Sequence, residues 1–234
     1  MMISLDASAP EQGLQPVRRF TLAEEVADQV RRAIISGQIA EGSAISEPKL
    51  AAQLAVSRVP VREALVELEH DGVVEFDHRG RCQVRQFSAE DVREIVTLRQ
   101  TLEVMSARLA AQKLTADTAA SLQENVQALE QETDVTNISR LDVAFHDLIM
   151  QAAGHSRLLT CWRTVRAQFE LLLAKAHRWQ QAHDIPVTDH ALRGHRPILT
   201  AILARDADKA GQAMRQHIED WGELNYKLGM DSEA

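Results

Sequence analysis

The sequence predicts a mainly α-helical protein in which a small N-terminal helical domain with one β-hairpin precedes an all-α bundle of six or seven helices. Aromatic residues make up only 4% of the 234 residues, and Ala, Leu, Gln, Arg and Glu are abundant, a mixture that favours helices over strands. Apolar residues recur at spacings of three and four over most of the chain. Only residues 73–85 have the pattern of two short strands around a tight turn.

The composition excludes several classes of protein. The chain is 45% hydrophobic and 26% charged with 10 Gly and 6 Pro, which argues against collagenous, low-complexity or disordered chains. No apolar run approaches the roughly 20 residues that a bilayer requires, and residues 1–16 lack a signal-peptide pattern. Two cysteines, Cys82 and Cys161, cannot build a disulfide framework. We therefore expect a cytoplasmic globular protein with no membrane partner.

The charge is distributed unevenly. The net charge is −8, but residues 17–87 carry ten Lys and Arg against eleven Asp and Glu, whereas the remainder carries sixteen against twenty-three. If the chain binds nucleic acid, the first third binds it through locally placed arginines rather than through a global positive field.

The elements follow from periodicity and capping residues. Residues 1–19 have no period and are predicted to be a flexible arm. Thr21 and Glu24 form a capping box before a helix over residues 21–36, and Gly37 ends it. The first domain extends over residues 20–87 and the second over residues 88–229, with Ser88 as its first N-cap. The other predicted elements are helices at 47–54, 58–71, 88–112, 115–132, 137–153, 156–180, 188–204 and 206–228, and strands at 73–76 and 81–85.

The segment at residues 47–66 has the pattern of a helix-turn-helix. Its apolar residues fall where two short helices would cross: Leu50, Leu54, Val56, Val61 and Leu65. Ala55 stands in the turn, where glycine would fit best, and Pro60 is tolerated in the first turn of the second helix. The hairpin behind this motif completes a winged helix-turn-helix.

Polar and basic residues lie where such a motif meets a duplex. Ser57, Arg58 and Arg62 face outward near the N-terminus of the second helix, the end that enters a major groove. The tip of the hairpin offers further candidates for backbone or minor-groove contacts: His78, Arg79 and Arg81. This array predicts a protein that binds double-stranded DNA.

The second domain contains a candidate metal site. Asp142 and His146 are four residues apart on one helix, and His195 and His217 each occupy an apolar position of another helix. A buried polar group without a partner costs roughly 1–3 kcal/mol, so several together require a shared partner. Imidazole and carboxylate suit a divalent metal ion, with zinc as the first candidate and nickel or another ion as the alternative.

Arg99 and Glu103 are a second unusual pair, on the apolar face of the helix at 88–112. They can be read as an intrahelical ion pair at a dimer surface. Alternatively, Arg99 is a bidentate fork that binds the carboxylate of a ligand inside the bundle.

These motifs resemble a known family. The run Val56–Leu65, with Gly37–Ile39, Ile45–Glu47 and Leu68–Gly72, is similar to the winged helix-turn-helix of GntR-type transcription regulators. Segments of the second domain resemble the FadR-type, or FCD, effector domain of that family: Leu98–Glu103, Asp142–Leu148, Ala153–His155, His195–Leu199 and Met214–Ile218.

The resemblance implies a function and a set of site residues. It implies a homodimeric transcription regulator, in this family more often a repressor than an activator, that binds a near-palindromic operator and is controlled by a small organic acid bound beside the metal. DNA contacts are implied at Arg58, Arg62 and the wing. The family often has an arginine where this chain has Pro48, and the adjacent Lys49 is a further DNA-binding candidate. Asp142, His146, His195 and His217 are implied as metal ligands. The candidate effector-binding residues are Arg99, Glu103 and His155.

Two other functions remain open at this point. The bundle could hold a catalytic metal with Glu103 or His155 as a general base, although this leaves the first domain without a role. The protein could instead sense the metal itself, so that metal alone changes its affinity for the operator. We predict a regulator and not an enzyme.

Overall fold

The structure is a computed structural model that describes residues 21–230, with side chains as far as Tyr226. The predicted arm, residues 1–19, lies outside the described residues. Within them, nine helices and three short strands follow one another. In chain order they are α1 (Leu22–Ile35), β1 (Ala44–Ile45), α2 (Glu47–Gln53), α3 (Arg58–His70), β2 (Val74–Phe76), β3 (Cys82–Val84), α4 (Ala89–Lys113), α5 (Ala116–Gln131), α6 (Val135–Ala152), α7 (Ser156–Ala182), α8 (Val187–Leu203) and α9 (Ala207–Met230).

The first part of the chain, which we call the head (residues 21–87), is a winged helix-turn-helix. The predicted capping box of Thr21 and Glu24 is present at the start of α1. In the turn between α2 and α3, Ala55 has a φ of +54°, the left-handed conformation that explains why glycine would fit best there. The crossing of the helices is closed by side chains that are completely buried: Val61, Ala64, Leu65 and Leu68.

The wing is a three-stranded antiparallel sheet with the strand order β1-β3-β2. The hairpin of β2 and β3 is where the sequence predicts it, with Glu75 opposite Gln83. Strand β1, which pairs Ala44 with Gln83, was not predicted. It has only two residues, which is too short for an alternating pattern to be recognised.

The second part of the chain, which we call the bundle (residues 88–230), contains six helices, α4 to α9. Ser88 and Asp91 form a capping box at the start of α4, as Ser88 predicts. Helices α4 and α9 approach each other closely, because a Cβ atom at Gly222 would lie 2.9 Å from Cγ2 of Val96. The six long helices enclose a core from which the functional side chains described below project.

The head packs directly on α7 of the bundle. One continuous cluster of buried residues contains Val30 and Leu65 of the head together with Trp162, Phe169 and Leu172 of α7. Polar contacts add to this packing. Lys175 Nζ lies 2.9 Å from Glu41 Oε2, and Arg178 donates a hydrogen bond to the carbonyl oxygen of Ile35. Helix α7 therefore touches both the head and the interior of the bundle.

No helix in residues 21–230 combines the length and the hydropathy needed to cross a membrane.

Candidate functional site

The outward face of α3 carries the predicted DNA-contacting residues. Ser57 is the N-cap of α3, and Arg58 and Arg62 are exposed in its first two turns. Arg58 Nη2 lies 3.6 Å from Glu47 Oε2, so the N-terminus of α2 holds its guanidinium loosely in place. Lys49 is exposed on α2. The structure thus leaves Lys49, Arg58 and Arg62 exposed near the N-terminal ends of α2 and α3.

The tip of the wing is organised by Asp77. One of its carboxylate oxygens accepts hydrogen bonds from the backbone N–H groups of Arg79 (2.8 Å) and Arg81 (2.9 Å), and the other accepts from Arg81 Nε (2.7 Å). These donors, those of Arg81 first, lower the pKa of Asp77. Part of the charge of Arg81 is consequently neutralised within the wing, whereas His78 and Arg79 are exposed at its tip.

Three histidines meet inside the bundle. His146 of α6, His195 of α8 and His217 of α9 each offer a ring nitrogen, and these three nitrogens lie within 4.8 Å of one another. Asp142 faces the same point, with Oδ1 3.5 Å from His146 Nε2 and 3.6 Å from His195 Nε2. The four predicted ligands are brought together from three helices, and we call them the histidine cluster.

The sequence pattern misplaced two members of this cluster slightly. It puts Asp142 and His146 at the edge of the apolar face of α6, but both are buried near its centre. The apolar residues Leu141 and Leu148, which the pattern puts on the buried face, are only half-buried. The face of α6 is rotated because the cluster, and not only apolar packing, occupies the interior.

His146 is oriented by a carboxylate behind it. Its Nδ1 donates a hydrogen bond to Glu103 Oε2, because a carboxylate can only accept. In the neutral form of the ring the lone pair is then on Nε2, which points at the cluster and lies 3.3 Å from His217 Nε2. Carboxylate–histidine pairs of this kind fix the imidazole in the tautomer that binds a metal.

The carboxylates of the site remain ionised. Burial opposes ionisation, but Arg99 and His146 hold the pKa of Glu103 at about 2. Burial opposes the ionisation of Asp142 as well, and His195 and His146 outweigh it, so that the pKa of Asp142 lies well below its ordinary value. The interior therefore contains two negative charges.

The histidines differ in their protonation. Burial lowers the pKa of His195, and burial with the neighbouring histidines lowers that of His217 well below its ordinary value. Burial also opposes the charging of His146, but Glu103 and Asp142 outweigh it and raise its pKa. His195 and His217 are thus neutral at pH 7, which is the form that binds metal ions.

Several buried atoms of the cluster lack a partner. Among the described residues, Asp142 Oδ1 and both ring nitrogens of His195 have no hydrogen-bond partner. Leaving such groups unsatisfied is costly, and here the unsatisfied groups are a carboxylate oxygen and imidazole nitrogens, which are atom types that bind metal ions. The donor set of one carboxylate and three imidazoles fits a divalent cation.

Arg99 lies inside the bundle and not at a surface. It is fully buried, its Nε donates to Glu103 Oε1 at 2.5 Å, and its Cζ lies 3.6 Å from the ring centroid of Phe169 and 4.7 Å from that of Trp221. The interpretation of Arg99 and Glu103 as an ion pair at a dimer surface is therefore wrong. The ion pair exists, but aromatic rings of α7 and α9 enclose it.

Two donors near this pair have no acceptor. Within residues 21–230, neither Arg99 Nη1 nor Trp221 Nε1 has a hydrogen-bond partner, although both atoms are buried. A guanidinium with a free Nη1 is suited to a carboxylate oxygen. Both oxygens of Glu103 are already bound, by Arg99 and by His146, so Glu103 positions these two side chains.

His155 is not brought to the cluster. It is exposed, and its Nδ1 accepts a hydrogen bond from the backbone N–H of Leu158 at 3.3 Å, so it caps α7. The sequence interpretation missed another histidine, His177 of α7, whose Nε2 lies 4.0 Å from Asp142 Oδ2. Its Nδ1 bonds Ser139 Oγ at 2.8 Å. The signal in the sequence was spacing: His177 follows Phe169 and Leu173 at intervals of four residues, which places it on the apolar side of α7.

Comparison with known proteins decides the family. Residues 22–84 match the family described as "Bacterial regulatory proteins, gntR family", and residues 94–220, more than half of the chain, match the FCD domain. The chain belongs to the gntR family. The head is thus the DNA-binding part of a GntR-type transcription regulator, and the bundle is its FCD domain.

Individual relatives agree with this assignment. The GntR-type chain is 32% identical over 202 residues to a "Probable D-xylose utilization operon transcriptional repressor" of Paenarthrobacter nicotinovorans, covering 86% of this chain and 87% of the relative. It is 27% identical over 206 residues to a "Gluconate operon transcriptional repressor" of Bacillus licheniformis, covering 86% and 84%. The solved structure of E. coli McbR/YncC is similar in fold, with a TM-score of 0.76, 21% identity and coverage of 89% and 99%.

Proposed function

We propose that this GntR-type regulator is a homodimeric repressor whose affinity for a near-palindromic operator is controlled by a small organic acid bound beside a divalent metal ion in the FCD domain. It acts in the cytoplasm, where the chromosome is, and has no catalytic role. Zinc is the first candidate for the metal.

The unsatisfied polar atoms of the interior carry this proposal. On one side, unpartnered atoms lie in the histidine cluster, and a cation there would satisfy Asp142 Oδ1 and one ring nitrogen of His195. On the other side, Arg99 Nη1 and Trp221 Nε1 are donors without acceptors. Glu103 joins the two groups through its bonds to Arg99 and His146. A cation and an adjacent carboxylate would together supply partners for Asp142 Oδ1, one ring nitrogen of His195, Arg99 Nη1 and Trp221 Nε1.

The residues have distinct proposed roles. Asp142, His146, His195 and His217 would hold the metal, which when bound supplies a positive charge for an anionic ligand. Arg99 would bind the carboxylate of the acid, and Trp221 would donate a further hydrogen bond. The aromatic ring of Phe169 keeps the guanidinium in place, since Arg99 lies over it.

The names of the relatives support a role as a repressor and a small hydroxylated metabolite as the effector. Both named relatives are described as operon repressors, one for D-xylose utilisation and one for gluconate. Gluconate is itself an organic acid, of the chemical class that Arg99 would bind.

The DNA-binding mode follows from the position of the basic residues. Arg58 and Arg62 on α3 would enter the major groove, and Ser57 and Lys49 would contact the backbone. His78, Arg79 and Arg81 would approach the backbone or the minor groove from the wing. Two copies of the head related by a two-fold axis would read the two half-sites.

The metal site is tested by elemental analysis of the purified full chain. We expect the wild type to hold one divalent ion per chain, and His146→Ala and His217→Ala each to lose it. His183→Ala is the matched control, because His183 is exposed at the end of α7. Full metal content in both cluster variants would overturn the metal site.

The acid site is tested by calorimetry with a panel of carboxylates from acetate to gluconate. Arg99→Lys keeps a positive charge beside Glu103 but lacks the free Nη1. We expect it to retain the metal and to bind the best acid of the panel at least about tenfold more weakly than the wild type, the loss of one charge-assisted hydrogen bond. Equal affinity in both proteins would remove Arg99 from the acid site.

A further inference from the structure

The recognition helix α3 carries an apolar side chain among its basic residues. Val59, its second residue, is 65% exposed, between the exposed Arg58 and Arg62. The opposite face of α3 is completely buried at Val61 and Ala64. A single exposed valine on a surface is ordinary, but this one stands at the end of the helix that meets base edges.

A second exposed valine, Val66, lies on the same side of α3 but farther from its N-terminal end. Val66 is 53% exposed and lies seven residues after Val59, which is two helical turns and places it on the same side of α3. At 1.5 Å per residue it is about 10 Å further along the axis. When the N-terminal end of α3 enters a groove, Val59 is at the bases and Val66 is beyond them.

The chemistry of the major groove identifies the group that a valine can recognise there. All four bases present hydrogen-bonding atoms in the major groove, and thymine also presents its 5-methyl group. The methyl group cannot take part in a hydrogen bond, but an aliphatic side chain can make an apolar contact with it. Arg58 and Arg62, one on each side of Val59 in the chain, would supply the phosphate or guanine contacts that fix the distance of α3 from the bases.

We propose that Val59 is a specificity-determining residue, whose methyl groups contact the 5-methyl group of one thymine in each half-site of the operator. This rests on the proposed entry of α3 into the major groove. Arginine contacts alone would favour guanine, and Val59 adds a requirement for thymine at a neighbouring position.

The test removes single methyl groups from the DNA. Operators are first selected from a pool of random duplexes with the metal-loaded full chain, and each thymine of the selected sequence is then replaced by deoxyuridine, which differs only in that methyl group. Dissociation constants are measured by fluorescence anisotropy at fixed salt for the wild type, Val59→Ala and Val66→Ala. Both valines are exposed, so neither variant should impair folding.

We expect one thymine in each half-site at which deoxyuridine weakens the wild type about fourfold, the effect of withdrawing one buried methyl group. Val59→Ala should lose this dependence, and Val66→Ala should keep it. If Val59→Ala has the same dependence on methyl groups as the wild type at every thymine, the inference is overturned while DNA binding stands. If the chain selects no sequence from the pool, the proposed DNA-binding function fails together with the inference.

Discussion

Glu103 connects the two halves of the proposed ligand site. Its side chain is 1% exposed, accepts from Arg99 Nε through one oxygen and from His146 Nδ1 through the other. Arg99 and His146 outweigh the effect of burial and hold its pKa at about 2, so its charge persists at every physiological pH. It keeps Nε2 of His146 directed at the cluster.

Replacing this carboxylate tests its effect on the metal. Glu103→Gln keeps the size of the side chain but removes the charge that stabilises the metal-binding tautomer of His146. We expect the affinity for zinc to fall about 10- to 100-fold, as for other partners of metal-binding histidines. Competition with a chromophoric chelator measures it, and Glu94→Gln, an exposed position of the same helix, is the control. An unchanged zinc affinity in Glu103→Gln would show that this carboxylate does not tune the site.

His177 makes stability depend on pH. Burial lowers its pKa from an ordinary value of 6.5 to about 4, although Asp142 opposes the shift. The unfolded chain takes up a proton at this residue below about pH 6.5, and the folded chain takes it up only near pH 4. Folding stability is therefore lost as the pH falls through this window, and nothing is lost above it.

The pH dependence can be measured on the metal-free protein. A shift of this size corresponds to about 3 kcal/mol, at 1.36 kcal/mol per pH unit. We expect the free energy of unfolding in urea to fall by about 2 to 3 kcal/mol more in the wild type than in His177→Gln between pH 7 and pH 4.5. Parallel pH profiles of the two proteins would contradict the assignment of a neutral buried His177.

At the scale of elements, the crossing of α8 and α9 depends on a glycine. A Cβ atom at Gly194 would lie 2.0 Å from His217 Nδ1, so the imidazole of α9 occupies the space that a side chain on α8 would fill. Alanine is otherwise the better helix former by about 1 kcal/mol. Gly194 is therefore explained by the position of His217 and not by helix formation.

Gly194→Ala should displace His217 and remove one ligand from the cluster. We expect the helical content to be unchanged and zinc affinity to fall at least about tenfold, measured by titration against the same chelator. Gly211→Ala is the matched control, because its Cβ would lie 2.8 Å from Cγ of Arg108, a side chain of α4 outside the histidine cluster. Wild-type zinc affinity in Gly194→Ala would mean that His217 is not a ligand.

The sequence predicts the elements well for physical reasons. Helices with a long apolar period and a capping residue, such as α1 and α4, begin within a residue of their predicted positions. Strand β1 could not be predicted, because two residues have no period and its pairing with β3 depends on residues almost forty positions away.

The candidate site could be predicted from the sequence less completely than the fold. Spacing on single helices predicts that Asp142, His146, His195 and His217 face the interior, and the structure brings them together. What spacing cannot give is the environment of Arg99, since Phe169 and Trp221 come from helices α7 and α9. For the same reason, the contact of His177 with Asp142 could not be predicted from either helix alone.

At the scale of the whole molecule, α7 joins the proposed ligand site to the head. Phe169 lies under the guanidinium of Arg99 and belongs to the same core cluster as head residues. On the other side of the helix, Lys175 and Arg178 bind Glu41 and the carbonyl of Ile35 in the head. A ligand that moves Arg99 would therefore move the helix on which the head rests.

Such coupling requires a difference in ligand affinity between two arrangements of the heads. An acid that binds the arrangement unsuited to the operator would weaken DNA binding by the same factor by which DNA weakens the acid. Couplings between sites are commonly about 5- to 150-fold, which is enough to release a repressor.

The most direct test is the operator affinity of the zinc-loaded full chain, measured by fluorescence anisotropy with and without saturating amounts of the carboxylate that binds best in the calorimetric panel. The predicted result is an affinity at least about fivefold weaker with the acid, and no such change in Arg99→Lys at the same acid concentration. An operator affinity that the acid leaves unchanged in the wild type, despite measured binding of that acid, would contradict control of DNA binding from the interior of the bundle.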